Sequence, residues 1–211
     1  MNNGPNQLKV SNISCERQET IIFQHLNFQA SSGELVRILG KNGSGKSSLL
    51  KIITGLLKPI TGKIQWNQQD ISQQRSDFVK QITYIGHKAA IKTELSVTEN
   101  IKTLLGFSGQ GQNLQAIEKV LACLELSKYS DVQAGYLSQG QQRRIALCRL
   151  WLEKTNLWIL DEPYTALDKE AIELVNGVIS KAVSSGTIVV FTSHLETEYF
   201  DNRVVNIALG G

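Results

Sequence analysis

The pattern of hydrophobic and polar residues predicts short strands that alternate with amphipathic helices. Strands are predicted at residues 8–13, 21–28, 34–39, 82–85, 157–160, 187–191 and 203–207. Leu49, Ile53 and Leu56 recur at the spacing of one helix face, and Pro59 ends that helix. Further helices are predicted over residues 139–153 and 171–182. Because strands and helices alternate, we expect an α/β fold with a parallel-sheet core.

The middle of the chain, residues 87–135, shows helical periodicity without strands. Ser96 and Glu99 stand three positions apart, which is the form of a capping box, and Ile101 and Leu105 follow on one helix face. A second amphipathic run follows over residues 113–126. We therefore predict a single domain over residues 1–211 that carries a small helical insert at about residues 87–135.

Composition excludes several classes of protein. Of the 211 residues, 41% are hydrophobic, which excludes intrinsic disorder, and the net charge of +3 gives no indication of nucleic-acid binding. The longest apolar runs are far shorter than the roughly 20 residues that span a bilayer, and the polar start of the chain predicts no secretion signal. Cys15, Cys123 and Cys148 are too widely spaced for a disulfide framework or a zinc site.

A glycine-rich segment after the third predicted strand has the form of a phosphate-binding loop. It is formed by Gly40, Lys41, Asn42, Gly43, Ser44, Gly45, Lys46 and Ser47, with Ser48 in the helix that follows. Glycines let several backbone N–H groups converge on phosphate oxygens, and the start of a helix adds a positive dipole end. We expect Lys46 to reach the β- and γ-phosphates of ATP and Ser47 to bind Mg²⁺.

Two carboxylates follow the apolar strand Leu157–Leu160. In open α/β sheets the carboxyl ends of the strands form the ligand-binding edge. Asp161 is placed there to hold Mg²⁺, and Glu162 is placed to orient or deprotonate an attacking water. Pro163 lacks the N–H that would continue the strand. An acidic pair at a strand end is often only a solvated turn, but the phosphate loop upstream favours the functional interpretation.

A third motif begins at Leu137 and includes Ser138, Gln139, Gly140 and Gln141. By itself this stretch is also an ordinary helix start, because Ser138 and Gln141 have capping-box spacing. Together with the two preceding motifs it resembles the signature of the ATP-binding cassette (ABC) ATPases, Leu-Ser-Gly-Gly-Gln, with Gln139 in place of the first glycine. The resemblance implies the P-loop NTPase fold of an ABC cassette, with antiparallel strands near the N-terminus.

The resemblance also implies roles for individual residues. Ser138, Gly140 and Gln141 would contact the γ-phosphate of ATP bound by a second copy, so that two cassettes pair head to tail. Asp168 would lie in the loop that contacts the other subunit, and His194 would hold the γ-phosphate and the attacking water. Catalysis would then depend on Glu162, His194 and Lys46, with ATP and Mg²⁺ as the ligands.

One position departs from the ABC pattern. Most ABC cassettes carry a glutamine after the strand predicted at residues 82–85, whereas His87 stands at this point in the chain. An imidazole can donate or accept a hydrogen bond, and its charge can change near neutral pH. His87 is thus a candidate ligand of the nucleotide site, and a surface histidine is the alternative.

Several stretches resemble one branch of the ABC family, the CcmA-type ATP-binding export subunits of cytochrome c biogenesis. They are residues 86–87, 140–147, 149–152 and 157–163. This implies a peripheral subunit on the cytoplasmic face of the bacterial inner membrane, with an integral CcmB-like membrane partner docked on the helical insert. The complex would handle or export heme. No direct heme binding is expected, since no histidine or cysteine has a heme-ligand context.

Four other functions share some of these motifs. An ABC cassette for another transported substrate would carry the same catalytic residues. A soluble ABC protein that acts on nucleic acid or ribosomes would have a long coiled-coil insert or two cassettes. A P-loop kinase would lack the signature and a counterpart of His194. A non-hydrolysing, ATP-dependent clamp would lack Glu162.

Overall fold

The computed structural model describes residues 5–107, 113–193, 200 and 204–209. Its strands are β1 Gln7–Arg17, β2 Thr20–Ser31, β3 Leu35–Leu39, β4 Thr61–Trp66, β5 Gln69–Asp70, β6 Ile82–Ile85, β7 Leu157–Leu160, β8 Ile188–Thr192 and β9 Val204–Ala208. Its α-helices are α1 Lys46–Ile53, α2 Arg75–Val79, α3 Val97–Phe107, α4 Leu114–Cys123, α5 Gln139–Leu147, α6 Arg149–Leu152 and α7 Lys169–Ser184. None of the helices in these described parts is long and apolar enough to cross a membrane.

The chain forms two compact units. The first comprises the described residues of Met1–Tyr84, Thr155–Glu162 and Ser180–Gly211, and the second comprises those of Ile85–Lys154 and Pro163–Ile179.

The first unit contains a five-stranded sheet in the order β6-β7-β8-β3-β9. Strand β8 pairs in parallel with β7 and β3, and β3 pairs in parallel with β9. All residues of β7 and β8 are buried, as is typical of central strands in a parallel sheet. The predicted parallel core is therefore confirmed, and β3, β7 and β8 end at the same edge of the sheet.

The first unit also contains an antiparallel sheet in the order β2-β1-β4-β5. Leu8 lies opposite Ala30 in β2 and Trp66 in β4, so its side chain enters a core shared by both neighbours. Helix α1 contributes its apolar face, including Leu49 and Ile53, to the same core. This core supports the segment between β3 and α1, where the phosphate loop was predicted.

The second unit is mainly helical and has its own core. Helix α3 begins as predicted, because Ser96 and Glu99 form a capping box in which each accepts a hydrogen bond from the other's backbone N–H. Asn100, which is almost fully buried, donates to three carbonyls in the loop before α3 and accepts from Lys92 N–H. Apolar residues of α3, α4 and α5 pack together around Ile101, Leu121 and Ile145.

The structure corrects several predicted boundaries. Strands β4 and β5 and helix α2 were missed, since they are short and Gly62 and Pro59 interrupt the local pattern. The single helix predicted over residues 139–153 is two helices, α5 and α6, which meet at Cys148. Residues 87–96 are not helical, although helical periodicity was predicted from residue 87, because the cap at Ser96 sets the start of α3.

Candidate nucleotide site

The phosphate loop depends on a close backbone approach at Gly40. A Cβ atom at this position would lie 2.3 Å from Ser44 Oγ and 2.9 Å from the Leu209 carbonyl oxygen, which leaves no room for any other residue. The loop then passes directly into α1 at Lys46. Backbone N–H groups at this helix start have no partner within the helix, so they are available to an anion.

Two side chains of the loop are prepared for a negatively charged ligand. Lys46 is 8% exposed, and its Nζ donates to the carbonyl oxygens of Gly40 at 2.7 Å and Lys41 at 3.1 Å. Ser44 Oγ is buried and has no hydrogen-bond partner within the described residues. A buried polar atom without a partner is costly, and a phosphate oxygen would satisfy it. The loop therefore fits the triphosphate of a nucleotide.

The carboxyl ends of β7 and β8 are joined by a buried threonine. Thr192 Oγ1 donates to Asp161 Oδ1 at 2.9 Å and accepts from the Glu162 backbone N–H at 2.8 Å. Asp161 is only 2% exposed, whereas Glu162 is half-buried with a left-handed φ of 49°. Non-glycine residues rarely adopt that conformation, and such residues cluster at functional sites.

The negative charge of Asp161 also affects the neighbouring strand β6. Burial, together with the charge of Asp161, raises the pKa of the Tyr84 phenol, so Tyr84 stays neutral at physiological pH. Within this unit, the phosphate loop, Asp161 and Glu162 thus occupy the ends of strands that terminate at one edge of the sheet.

In the second unit, the signature residues form the start of α5. Ser138 Oγ accepts from Gln141 N–H at 3.2 Å, and Gln141 Oε1 accepts from Ser138 N–H at 2.9 Å, so the predicted capping box is present. Ser138 is exposed and Gln141 is half-buried. The hydroxyl proton of Ser138 is not used in this cap, because Oγ acts there only as an acceptor.

Gly140 lies against the loop that precedes α7. A Cβ at Gly140 would come within 2.5 Å of the Ala166 carbonyl oxygen, so a larger residue would displace this loop. Ser138, Gly140, Gln141 and Asp168 line one open cavity of about 1000 Å³. Its lining also includes the cations Lys128 and Arg144 and the carboxylate of Glu125. The four predicted signature and loop residues are thus brought together in this unit.

Arg144 connects α5 with two other segments of the second unit. Its guanidinium forms ion pairs with Asp168 and with Glu125, and Nη1 donates to the Leu124 carbonyl. Asp168 Oδ1 in turn accepts from Ala171 N–H at 2.9 Å, which caps α7. Asp168 therefore has structural partners in addition to its predicted place at the subunit contact.

Of the two histidines predicted at the site, His87 lies within the described residues. His87 is exposed, and its carbonyl oxygen accepts from Arg143 Nη1 at 3.4 Å. His194 lies outside the described residues.

Sequence reasoning missed two residues that organise these segments. Thr192 bonds both to the Asp161 carboxylate and to the Glu162 backbone N–H, and its position at the end of a buried strand was the available signal. Gln142 donates to the carbonyls of Ala134 and Leu137 and so anchors the turn before the signature. Nothing in the spacing alone distinguished Gln142 from its neighbours.

Comparisons with known proteins agree with this geometry. The profile of the ABC transporter family matches residues 23–165. Two relatives are named cytochrome c biogenesis ATP-binding export protein CcmA. The protein from Mannheimia succiniciproducens is 41% identical over 96% of this chain and 94% of its own length. The protein from Haemophilus influenzae is 39% identical over 96% of this chain and 95% of its own length.

Solved structures show the same fold. A putative ABC transporter ATP-binding protein from Pyrococcus furiosus aligns with a TM-score of 0.82 at 27% identity, over 96% of this chain and 97% of that one. The ATP-binding subunit of another ABC transporter aligns with a TM-score of 0.84 at 25% identity, over 96% and 85% of the two chains. The predicted cassette fold and the predicted family are confirmed. The chain belongs to the ABC transporter family and is one of its ATP-binding, ATP-hydrolysing cassettes.

Proposed function

We propose that this cassette drives a membrane complex that handles or exports heme during c-type cytochrome biogenesis. The observation that supports this most directly is the similarity, over nearly its whole length, to relatives named for ATP-binding export in that process. An ABC cassette for another transported substrate is the alternative, since it would have the same phosphate loop and strand-end carboxylates.

The first unit would bind and hydrolyse ATP. Lys46 and the N–H groups at the start of α1 would hold the β- and γ-phosphates, and Ser44 Oγ would gain the partner that it lacks. Ser47 and Asp161 would bind Mg²⁺, which neutralises charge on the phosphates. Glu162 would orient the attacking water and accept its proton. Thr192 fixes the Glu162 backbone and the Asp161 side chain through its two hydrogen bonds.

The second unit would complete the site of another copy. Ser138 has a hydroxyl proton to donate, and Gly140 exposes backbone at a helix start that favours an anion. Both line an open cavity in which Lys128 and Arg144 lie near Glu125 and Asp168, and the positive end of the helix dipole of α5 would face the γ-phosphate of a nucleotide carried by a partner. The working unit would then be a head-to-tail dimer with two shared ATP sites, in which Gln141 and Asp168 line the contact.

His87 and His194 would contact the γ-phosphate or the attacking water. His87 would take the part of the glutamine that most ABC cassettes have after β6, and His194 would hold the γ-phosphate and the attacking water. Replacement of His87 by glutamine is therefore expected to preserve more hydrolysis than replacement by alanine.

The cassette would act as a peripheral subunit on the cytoplasmic face of the bacterial inner membrane. An integral CcmB-like subunit would provide the path across the membrane and would dock on the helical segment at about residues 87–135. Heme would be handled by that partner complex, and neither heme nor nucleic acid would bind this chain directly.

The test combines a purified-protein assay with a cellular one. Glu162→Gln removes the carboxylate that activates water, so we expect ATP binding to persist while turnover falls by roughly 10²–10⁴-fold. The matched control is Glu173→Gln, an exposed carboxylate of α7. In cells that lack the gene, wild type and Glu173→Gln are expected to restore covalent heme staining of c-type cytochromes, whereas Glu162→Gln is not.

The two readouts separate the two parts of the proposal. Normal turnover by Glu162→Gln contradicts the catalytic assignment. Normal heme staining in cells without the gene contradicts the heme pathway, and it favours a cassette for another substrate.

A further inference from the structure

Arg143 is a buried arginine of α5 that holds backbone atoms of two distant segments. It is 4% exposed and lies five positions after Ser138. Its Nη1 donates to the carbonyl oxygens of Gly86 at 2.7 Å and His87 at 3.4 Å, and its Nε donates to that of Pro163 at 3.4 Å. All of these residues belong to the second compact unit.

The two segments that Arg143 holds contain or directly follow residues with a proposed role in ATP hydrolysis. Gly86 and His87 directly follow β6, and Pro163 directly follows Glu162 at the end of β7. Strands β6 and β7 are neighbours in the parallel sheet. The guanidinium of Arg143 on α5 thus donates to backbone carbonyls in the segment after β6 and in the segment after β7.

The chemistry of arginine explains why this residue suits the position. Its guanidinium is always charged, so burying it is tolerated only where acceptors surround it, and the three carbonyls supply them. Its Nε and Nη1 also point in fixed directions within one plane, so a single group can donate to two segments at once. A lysine has one nitrogen on a flexible stem and cannot fix both segments in the same way.

We propose that Arg143 is a positioning residue for ATP hydrolysis. It fixes the backbone of the segment that presents His87 and of the segment that begins with Pro163, the residue after Glu162, and it ties both to the helix that starts after Ser138. Contact of Ser138 with a partner's nucleotide is thereby linked to the backbone position of His87 and of Pro163 in the same unit. This inference rests on the proposed function of the site and adds to it the link between the signature and the segment that presents His87.

The neighbouring arginines provide contrasts. Arg144 pairs with the carboxylates of Asp168 and Glu125, at the cavity where the partner's nucleotide is proposed to bind. Arg149 pairs with the buried carboxylate of Glu153 through Nε at 2.6 Å and Nη2 at 3.1 Å. Arg149 is half-buried and is not among the described residues that line the cavity, so Arg149→Lys is the control for loss of an arginine fork.

The first measurement compares binding with turnover. For the full chain, purified with its membrane partner, we expect Arg143→Lys to keep the affinity for ATP within about 2-fold and to lower kcat by roughly 10²-fold, because small misplacement of reacting groups costs rates of that order. Arg149→Lys is expected to lower the thermal midpoint and to leave kcat within about 2-fold of wild type. A kcat for Arg143→Lys equal to that of Arg149→Lys overturns the inference.

A double-mutant cycle distinguishes positioning from a general structural role. If Arg143 acts through His87, the combined Arg143→Lys, His87→Ala variant loses much less activity than the product of the two single losses. Two losses that multiply fully overturn the inference.

Glu162→Gln in the same assay separates this inference from the proposed function. An inactive Glu162→Gln beside a normal Arg143→Lys contradicts only the role of Arg143. Normal turnover by Glu162→Gln contradicts the proposed catalytic site itself.

Discussion

The two compact units present their phosphate-binding groups in opposite ways. In the first unit the charged groups are buried and held in place: Lys46 is bonded to two loop carbonyls, and Asp161 accepts a hydrogen bond from Thr192. In the second unit Ser138 is exposed and Gln141 is half-buried, and each side chain accepts a hydrogen bond from the other's backbone N–H. The first unit holds buried polar groups that can bind phosphate. In the second unit the signature residues cap their own helix and line an open cavity.

This difference indicates that the first unit binds the nucleotide of its own chain and that the second unit contacts a nucleotide bound by another copy. A buried lysine and a buried serine oxygen without a partner gain from a bound phosphate in a single chain. The signature gains only when an anion from elsewhere enters its cavity, because its cap is already satisfied within the helix. Changes in the phosphate loop of the first unit should therefore weaken binding of ATP by one chain, and changes at the signature of the second should affect hydrolysis without affecting that binding.

The largest effect on ATP affinity is expected for Lys46→Ala. Removal of a cation from the phosphates should weaken ATP binding by roughly 10–100-fold, since a hydrogen bond to a charged group contributes about 1.5–3 kcal/mol. Isothermal titration calorimetry measures this directly. Lys51→Ala, which removes an exposed lysine of α1 outside the loop, is the control and should change the affinity little. Equal affinities for both variants would contradict the role of the buried lysine.

A smaller effect is expected for changes at Ser138. Ser138→Ala removes both the cap and the hydroxyl proton, so it should lower stability by about 1 kcal/mol and hydrolysis by roughly 10-fold, with unchanged ATP binding. Ser138→Asn keeps a good N-cap without that hydroxyl. Its thermal midpoint should match wild type while its hydrolysis stays low. Full hydrolysis by Ser138→Asn would show that the serine serves only as a cap.

The smallest effect concerns the stability of the second unit at alkaline pH. Burial raises the pKa of the Cys148 thiol well above its usual range, so the thiolate forms more readily in the unfolded chain. The unfolded state then binds fewer protons, and stability falls as pH rises above about 8.5, by up to about 1.4 kcal/mol per pH unit.

Denaturant unfolding between pH 7 and 9.5 measures this slope. Cys148→Ala should reduce it, and the remainder should include Cys15, whose pKa is raised by burial in the first unit. An unchanged slope in Cys148→Ala would contradict the prediction.

The sequence predicted the parallel sheet and the placement of the phosphate loop because both depend on local patterns. Leu157–Leu160 is a continuous apolar run that ends in two acids, and the loop is fixed by glycine spacing before a helix. The helix start at Ser96 was also predictable, since both partners of its cap lie within four residues. In each of these cases the determining contacts are close in the sequence.

What the sequence did not predict depends on contacts between distant segments. Strand β4 is stabilised by pairing with β1, about fifty residues earlier, and its own residues show little alternation. Arg143 looks like an ordinary polar residue of an amphipathic helix, yet its partners are backbone carbonyls of Gly86 and Pro163. Thr192 directly follows the strand predicted at residues 187–191, and its two hydrogen bonds depend on the pairing of β7 with β8.

We propose that each ATP site combines the first unit of one copy with the second unit of another. It is tested most directly by mixing two inactive variants. Lys46→Ala keeps an intact signature, and Ser138→Arg, which places a long side chain at the cavity, keeps an intact phosphate loop. In an equimolar mixture half of the dimers are mixed and hold one intact site, so hydrolysis should recover to about a quarter of the wild-type rate. A mixture no more active than the average of the two separate variants would contradict the account.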